Sequence, residues 1–107
     1  MDEAVGRFEN VPVGDDWAFL ILDALSVRIR YEISAKRRLI LVAYGIRHNG
    51  ARRLLSFAVA KTESEATWES FLDNLKVRGL VGRNLDLIVM DGSLGLWAAA
   101  QKVYPLV

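Results

Sequence analysis

The sequence of 107 residues contains no cysteine, a single histidine and no apolar stretch long enough to cross a membrane. The absence of cysteine excludes disulfides and thiolate metal sites, and it is compatible with the cytosol. A membrane-spanning helix needs about 20 mostly apolar residues, and no segment approaches that length. The acidic start Met1-Asp2-Glu3 stands where a signal peptide would need basic residues, so we expect no secretory leader.

The chain does contain enough apolar sequence to form one folded domain. Apolar residues make up 52% of the sequence and the mean hydropathy is +0.19, and these values exclude a disordered chain. The length corresponds to one domain near the lower end of common domain sizes. Because the formal net charge is only +1, we do not expect the chain as a whole to attract nucleic acid through bulk charge.

Three segments in the first 60 residues have the composition of β-strands. Residues 1–16 precede them and carry no sustained periodicity, so we expect an irregular lead-in there. The pair Asn49-Gly50 predicts a type I′ hairpin, because both residues tolerate a positive φ. The predicted elements are a strand over residues 17–25 that continues to Tyr31, a basic turn over 34–38, a second strand over 39–46 and a third over 54–60.

Two helices with a strand between them are predicted in the second half of the chain. Residues 62–65 fit a capping box that begins at Thr62, and the pair Arg78-Gly79 is typical of a helix end. A fourth strand is expected over 85–90 and a short second helix over 93–103. The predicted buried residues are Trp68, Phe71, Leu72 and Leu75 in the first helix and Leu96, Trp97 and Ala100 in the second.

The resulting α/β order, β-β-β-α-β-α, is typical of the front half of the ribonuclease H-like architecture. Three antiparallel strands are followed by a crossover helix and a parallel fourth strand in one mixed sheet. A right-handed crossover would place strand four beside strand one. The sequence stops at Val107, before the fifth strand and the further helices of that architecture. We therefore predict a truncated form of this fold over residues 17–107.

Two aspartates occupy unusual positions in the predicted sheet. Asp23 interrupts an apolar run, and Asp91 ends the apolar fourth strand. An unpaired carboxylate in an apolar sheet is costly, and such a cost persists when a metal or a reaction uses the charge. Adjacent strands would bring the two together, and Mg²⁺ suits a site of one or two carboxylates. The pair predicts metal-dependent phosphoryl transfer with Asp23 and Asp91 as catalytic and metal-binding residues.

Each aspartate also has a simpler explanation. An aspartate followed by glycine, as in Asp91-Gly92, is commonly a turn residue or a helix N-cap. A buried ion pair with an arginine would equally account for Asp23. The sequence leaves both explanations open.

Short segments across residues 17–105 resemble the catalytic domain of Mutator-type bacterial insertion-sequence transposases, a branch of the DDE transposases. Their order and spacing are specific and cover nearly the whole chain. The first set comprises Leu22-Asp23-Ala24, residues 27–30, Ala43-Tyr44-Gly45-Ile46, Asn49-Gly50 and Arg53. The second comprises residues 63–65, Trp68, Phe71-Leu72, Leu75, residues 78–80, Asp91-Gly92, Gly95-Leu96, Ala99 and Tyr104-Pro105.

The resemblance implies that Asp23 and Asp91 are the first two acids of a DDE triad that binds Mg²⁺ or Mn²⁺. A full-length bacterial, cytoplasmic protein of this kind would cleave and join DNA at the terminal inverted repeats of a mobile element. The family's third acid, a glutamate further along the chain, has no counterpart here, and neither do its Cys-x-x-His motif and upstream DNA-binding domain. We therefore expect this chain alone to be inactive.

Other polar residues carry weaker signals. Glu63 and Glu65 are explained by the helix start, and Glu69 lies off the apolar face, so none is a strong third acid. His48, beside the predicted turn, is expected to be exposed. Basic residues cluster at 28–30, 36–38 and 52–53. These clusters are either solvated strand ends or weak contacts to a phosphate backbone.

A second hypothesis, from a different class, is a non-enzymatic interaction module. Without a fifth strand, strand four would be an open edge bordered by apolar residues, which is a template for pairing with another chain. The chain could then form a homodimer or bind a full-length transposase, and no membrane partner is expected. A third hypothesis, a minimal nuclease related to ribonuclease H, would need further inward-pointing acids, and the apolar face of the first helix leaves none.

Overall fold

The computed structural model describes residues 11–31, 34–90 and 93–107. Within these ranges the element order is β-β-β-α-β-α, as predicted. No helix of the described residues is long and apolar enough to cross a membrane. The elements are β1 (Phe19–Tyr31), β2 (Ser34–Ile46), β3 (Arg52–Ala60), α1 (Glu65–Val77), β4 (Leu87–Met90) and α2 (Leu94–Val103).

The four strands form one mixed sheet in the order β3-β2-β1-β4. β1 pairs antiparallel with β2, and β2 pairs antiparallel with β3. The crossover through α1 brings β4 beside β1 in parallel, where Leu22 lies opposite Met90. The predicted strand neighbours are confirmed, and the described residues form a small α/β domain with a four-stranded sheet and two helices.

The predicted basic turn over residues 34–38 is wrong, because these residues belong to β2. β1 and β2 continue as a pair as far as Tyr31 and Ser34. Of the residue types that favour a reversal of the chain, which are glycine, proline, asparagine, aspartate and serine, residues 34–38 contain only Ser34. Their basic charge suggested a turn, but charge alone does not end a strand.

The predicted hairpin between β2 and β3 is confirmed. Its turn, however, is not the predicted type I′ turn, which would have Asn49 and Gly50 as its central residues. The central residues are His48 and Asn49, and the Gly50 amide donates to the Arg47 carbonyl at 2.9 Å. Gly50 follows with a φ of 90°, as in longer hairpin loops that place a glycine after the turn. The Asn49 side chain accepts from the Ala51 amide at 2.9 Å.

Both helices pack on one face of the sheet and bury the core there. The four predicted residues of the α1 face are all buried, and so is Trp17. The prediction for Trp97 is wrong, because its side chain is 57% exposed. The buried face of α2 consists of Leu96, Ala99, Ala100 and Val103. Trp97 follows Leu96 by one residue and so points about 100° away from that face.

The start of α1 lies two residues later than the predicted capping box. Ser64 is the N-cap, and its hydroxyl accepts from the Thr67 amide at 3.2 Å. Glu63 has a different role, because its carboxylate accepts from the indole nitrogen of the fully buried Trp68 at 2.9 Å. This bond satisfies the one polar atom of that side chain.

The end of α1 is confirmed at Arg78, and Gly79 follows with a φ of 120°. Arg78 is not, however, an ordinary cation in a last helical turn, since it is only 7% exposed. Its guanidinium donates to four oxygens in the lead-in, in β3 and in α1. They are Val11 O at 2.7 Å, Leu55 O at 2.8 Å, Ser56 Oγ at 3.0 Å and Asn74 Oδ1 at 3.2 Å.

The buried hydroxyl of Tyr104 provides a prediction for alkaline stability. It donates to the Leu80 carbonyl at 2.7 Å, and burial, followed by the charges of Asp15 and Asp73, raises the pKa of Tyr104. In the unfolded chain this phenol ionises near pH 10. Above about pH 10 the unfolded state therefore loses a proton that the folded state keeps, so stability falls as the pH rises. Below that pH the contribution is fully present.

We expect Tyr104→Phe to flatten the loss of unfolding free energy between about pH 9 and pH 11. Urea unfolding at the two pH values measures it, and Tyr44→Phe, at an exposed tyrosine, is the matched control. A Tyr104→Phe protein that loses as much stability as the wild type over this interval would contradict the assignment.

Candidate functional site

Asp23 lies on the sheet face that the helices leave uncovered. Leu20 and Leu22 are buried against α1 and α2, and side chains alternate along a strand. Asp23 therefore shares the opposite face with Ile21 and with Leu25, which is 47% exposed. No helix of the described residues covers this face. The Asp23 carboxylate is half-buried, and its desolvation cost is correspondingly smaller.

The Asp23 carboxylate is held by its own strand. Its Oδ1 accepts from the Ala24 amide at 2.8 Å. Within the described part of the chain no arginine forms an ion pair with it, so the alternative of a buried Asp–Arg pair finds no support. Asp23 therefore presents a carboxylate that has one oxygen fixed on the backbone and the other without a hydrogen bond to any described residue.

The pairing of β1 with β4 defines the neighbourhood of the second predicted acid. Leu22 lies opposite Met90, and the residues that follow these two in the sequence are Asp23 and Asp91. Asp91 lies outside the described residues, so its metal-binding role stays a prediction. Ser93 is the N-cap of α2 and accepts from the Leu96 amide at 3.3 Å. The N-cap role that would have explained Asp91 is thus held by another residue.

The start of α2, which follows β4 in the chain, is fixed by a close contact with α1. A Cβ on Gly95 would lie 2.9 Å from the Glu65 amide nitrogen, so only glycine allows the two helix starts to approach this closely. A glycine within the first turn of a predicted helix is a sequence signal that could indicate such a close contact. It fixes the position of α2 at the end of β4.

The three glutamates near the start of α1 have structural partners. Glu63 bonds Trp68, whereas Glu65 and Glu69 both pair with Lys102 of α2. A hydrogen bond to Glu65, then the charges of Glu65 and Glu69, raises the pKa of Lys102. These contacts agree with a structural role for all three. Among residues 11–31, 34–90 and 93–107, no group of three or more metal-ligating side chains occurs.

His48 is exposed, as predicted, and its ring lies beside the carboxylate of Asp86. Its Nε2 is 3.0 Å from Asp86 Oδ2, with both side chains largely in solvent. The contact joins the β2–β3 loop to the residue before β4. No sequence pattern would have revealed it, because the two residues are 38 positions apart. An exposed pair of this kind contributes little stability.

Comparisons with known proteins point to one family. A model of the family described as "Transposase, Mutator family" matches residues 1–107. The chain is 37% identical over 105 residues to a transposase for insertion sequence element ISRM5 of Rhizobium meliloti, covering 98% of the chain and 26% of the relative. It is likewise 37% identical over 107 residues to a transposase for IS406 of Burkholderia multivorans, covering 100% and 27%.

A third relative comes from another bacterium. The transposase for insertion sequence element IS256 in transposon Tn4001 of Staphylococcus aureus is 33% identical over 105 residues, covering 97% of the chain and 26% of the relative. The chain thus spans about a quarter of the length of the curated relatives it matches.

Proposed function

Because the chain belongs to the Mutator family of transposases, we propose that it is part of a DDE transposase catalytic domain with the ribonuclease H-like fold. In this proposal the full-length protein cleaves DNA and transfers strands at the terminal inverted repeats of an insertion sequence, in the bacterial cytoplasm. The relatives are transposases for insertion sequence elements. The strand order β3-β2-β1-β4, with α1 as the crossover to a parallel β4, agrees with the first part of that fold.

One observation carries the assignment of the site. The parallel register places Leu22 of β1 directly opposite Met90 of β4, and each of these residues immediately precedes one of the two aspartates. Equivalent positions on adjacent parallel strands are about 4.8 Å apart. This register supports a site that Asp23 and Asp91 share, as the sequence predicts.

The donor chemistry of Asp23 fits a hard divalent cation. Mg²⁺ is commonly bound through one or two carboxylates and completes its shell with water and phosphate oxygens. Asp23 and Asp91 would hold Mg²⁺ or Mn²⁺, and such ions activate an attacking oxygen and stabilise a leaving one in phosphoryl transfer. The role of the chain's own residues is positional, because the Ala24 amide fixes one Asp23 oxygen on a strand paired on both sides.

We further propose that the isolated chain has little or no strand-transfer activity. The described residues contain no third acid that joins Asp23 in a metal-binding group. The relatives are nearly four times as long as the segment they share with this chain. In this proposal the third acid and the domain that recognises the DNA ends are supplied by other parts of the full-length protein.

The test is a calorimetric titration of the folded chain with Mn²⁺, which should bind in the millimolar range because only two carboxylates contribute. We expect Asp23→Asn and Asp91→Asn each to weaken binding by at least about tenfold, since each removes a charged ligand. Asp73→Asn, at an exposed aspartate of α1, is the control with the same change in charge and should bind as the wild type does.

Binding that is unchanged in Asp23→Asn would overturn the metal site.

The alternative function, an interaction module, rests on a specific feature, since β4 lies at a sheet edge and Leu87 there is 52% exposed. Sedimentation of the same samples decides between the two. A dimer that binds no Mn²⁺ would favour a module that pairs through this edge.

A further inference from the structure

The β1–β2 pair extends beyond the rest of the sheet as a two-stranded ribbon. β4 pairs with β1 only over 19–22, and β3 pairs with β2 only from Leu39 onward. Residues 27–31 of β1 and 34–38 of β2 therefore pair with each other alone. We call these two segments the basic ribbon. Five residues of strand span about 17 Å, so the ribbon is a substantial projection from a domain of this size.

Positive charge is concentrated in this part of the chain. Residues 26–38 contain five basic residues and one acidic residue, a net charge of +4. The whole chain has a net charge of +1, so the remainder carries −3. The net charge of the whole chain is small only because the basic segment and the acidic remainder nearly cancel. A localised cluster of basic residues is typical of a surface that binds a polyanion.

The pairing register places two of these basic residues opposite each other. Arg28 lies directly opposite Arg37, and like charges at such positions destabilise a strand pair. Arg28 is exposed, and within the described residues it forms no ion pair. Solvated basic residues that only protect a strand edge would not need to face one another across a ladder. An anionic partner would remove the repulsion.

Basic residues occupy register positions of both ribbon faces. Arg28, Arg30 and Arg37 belong to one alternating set of positions. Lys36 and Arg38, which pair with Ile29 and Val27, belong to the other. A partner with a flat anionic surface would contact one set only. Basic residues at both sets of register positions suit a partner that surrounds the ribbon with anionic groups.

We propose that the basic ribbon inserts into the major groove of duplex DNA and contacts the phosphates on both sides of the groove. That groove is about 12 Å wide and admits a two-stranded β-ribbon. The major groove of duplex RNA is deep and narrow and would not admit it. The inference relies on the proposed function for the choice of DNA as partner, but it requires neither Asp23 nor a metal ion.

The experiment is fluorescence anisotropy of the complete chain with a DNA duplex of about 20 base pairs and an RNA duplex of the same sequence. We expect binding to DNA at least several-fold tighter than to RNA. The double variant Arg28→Thr/Arg37→Thr should lower the slope of log affinity against log salt by about 1.8, because each lost phosphate contact contributes about 0.9. If the two affinities meet near 1 M salt, this slope difference amounts to roughly 60-fold weaker binding at 0.1 M salt.

The control is Arg52→Thr/Arg53→Thr, which changes the net charge equally at two exposed arginines at the start of β3. It should change the DNA affinity by less than about twofold. Equal losses in both double variants, or equal affinity of the wild type for DNA and RNA, would overturn groove binding by the ribbon. Thermal unfolding verifies the fold, and removal of the Arg28–Arg37 repulsion should leave the melting temperature unchanged or higher.

The outcome is separable from that of the metal titration. The wild-type chain should bind the DNA duplex equally well with and without Mn²⁺, because no ribbon residue belongs to the proposed metal site. Loss of DNA binding on removal of the metal ion would count against the ribbon as the binding element. Retained ribbon-dependent binding in a chain that binds no Mn²⁺ would support this inference while removing the proposed catalytic site.

Discussion

Replacement of Arg78 by methionine is expected to lower the free energy of unfolding by about 3–5 kcal/mol, the range found when one member of a buried charged network is removed. Methionine keeps most of the apolar volume of the arginine stem but removes every donor. The guanidinium donates to four oxygens at 2.7–3.2 Å. Buried acceptors left without a donor lose roughly 1–3 kcal/mol each.

The position of these acceptors explains why the effect should be global. Val11 belongs to the lead-in, Leu55 and Ser56 to β3, and Asn74 to α1. Arg78 therefore connects three segments that are distant in sequence, and the Val13 amide adds a bond to the Arg78 carbonyl at 2.9 Å. Loss of the guanidinium would loosen the lead-in and the packing of α1 on the sheet together.

Urea unfolding followed by tryptophan fluorescence measures the change, because Trp17 and Trp68 are fully buried. Arg83→Met, at an exposed arginine of the loop before β4, is the matched control and should change stability by less than about 0.5 kcal/mol. Arg78→Lys should fall between the two, since an ammonium cannot reproduce the planar fork of donors. A loss below about 1 kcal/mol in Arg78→Met would show that the network contributes little to stability.

The parts of the fold that follow from short-range patterns were predictable from the sequence. The apolar spacing of α1 and the end signal at Arg78-Gly79 depend only on neighbours along the chain, and both agree with the structure. The order of the strands followed from a handedness rule for crossovers. These features are fixed by local chemistry and by chain connectivity.

The basic turn over 34–38 and the capping box were misplaced from local signals, whereas three other errors concern properties that depend on residues far apart in sequence. Burial of Arg78 depends on acceptors in the lead-in and in β3, which no local pattern reveals. The exposure of Trp97 depends on which face of α2 meets α1 and the sheet. The uncovered face that carries Asp23 depends on both helices packing on the same side. Asp23 itself was identifiable because a carboxylate interrupts an apolar strand, but its surroundings were not.

Replacement of Gly45 by alanine is expected to cost about 3 kcal/mol, at the upper end of the usual range for overpacking a core. A Cβ at this position would lie 2.6 Å from Trp17 Cε3, 2.7 Å from Trp17 Cδ2 and 2.9 Å from Leu55 Cδ1. Ordinary contacts between carbon atoms are about 3.5–4.0 Å. Gly45 has no positive φ, so the expected cost comes from packing and not from the backbone.

Trp17 cannot easily move aside to accept the extra methyl group. Its ring is fully buried, and its Nε1 donates to the Val13 carbonyl at 2.9 Å. The guanidinium of Arg47 lies 4.3 Å from the centre of the ring, which adds a cation–π contact. The backbone of Gly45 is also confined, because β2 pairs with a strand on each side.

Thermal and urea unfolding of Gly45→Ala measure the cost. Gly50→Ala is the control, because its cost would come from the backbone and not from packing. Gly50 has a φ of 90° and no atom near its virtual Cβ, so its replacement should cost only the backbone strain of about 1–2 kcal/mol. Adding Trp17→Phe to Gly45→Ala should cost less than the sum of the two single changes, since the smaller ring vacates space for the methyl group. Strict additivity would show that the indole is not what excludes a side chain at Gly45.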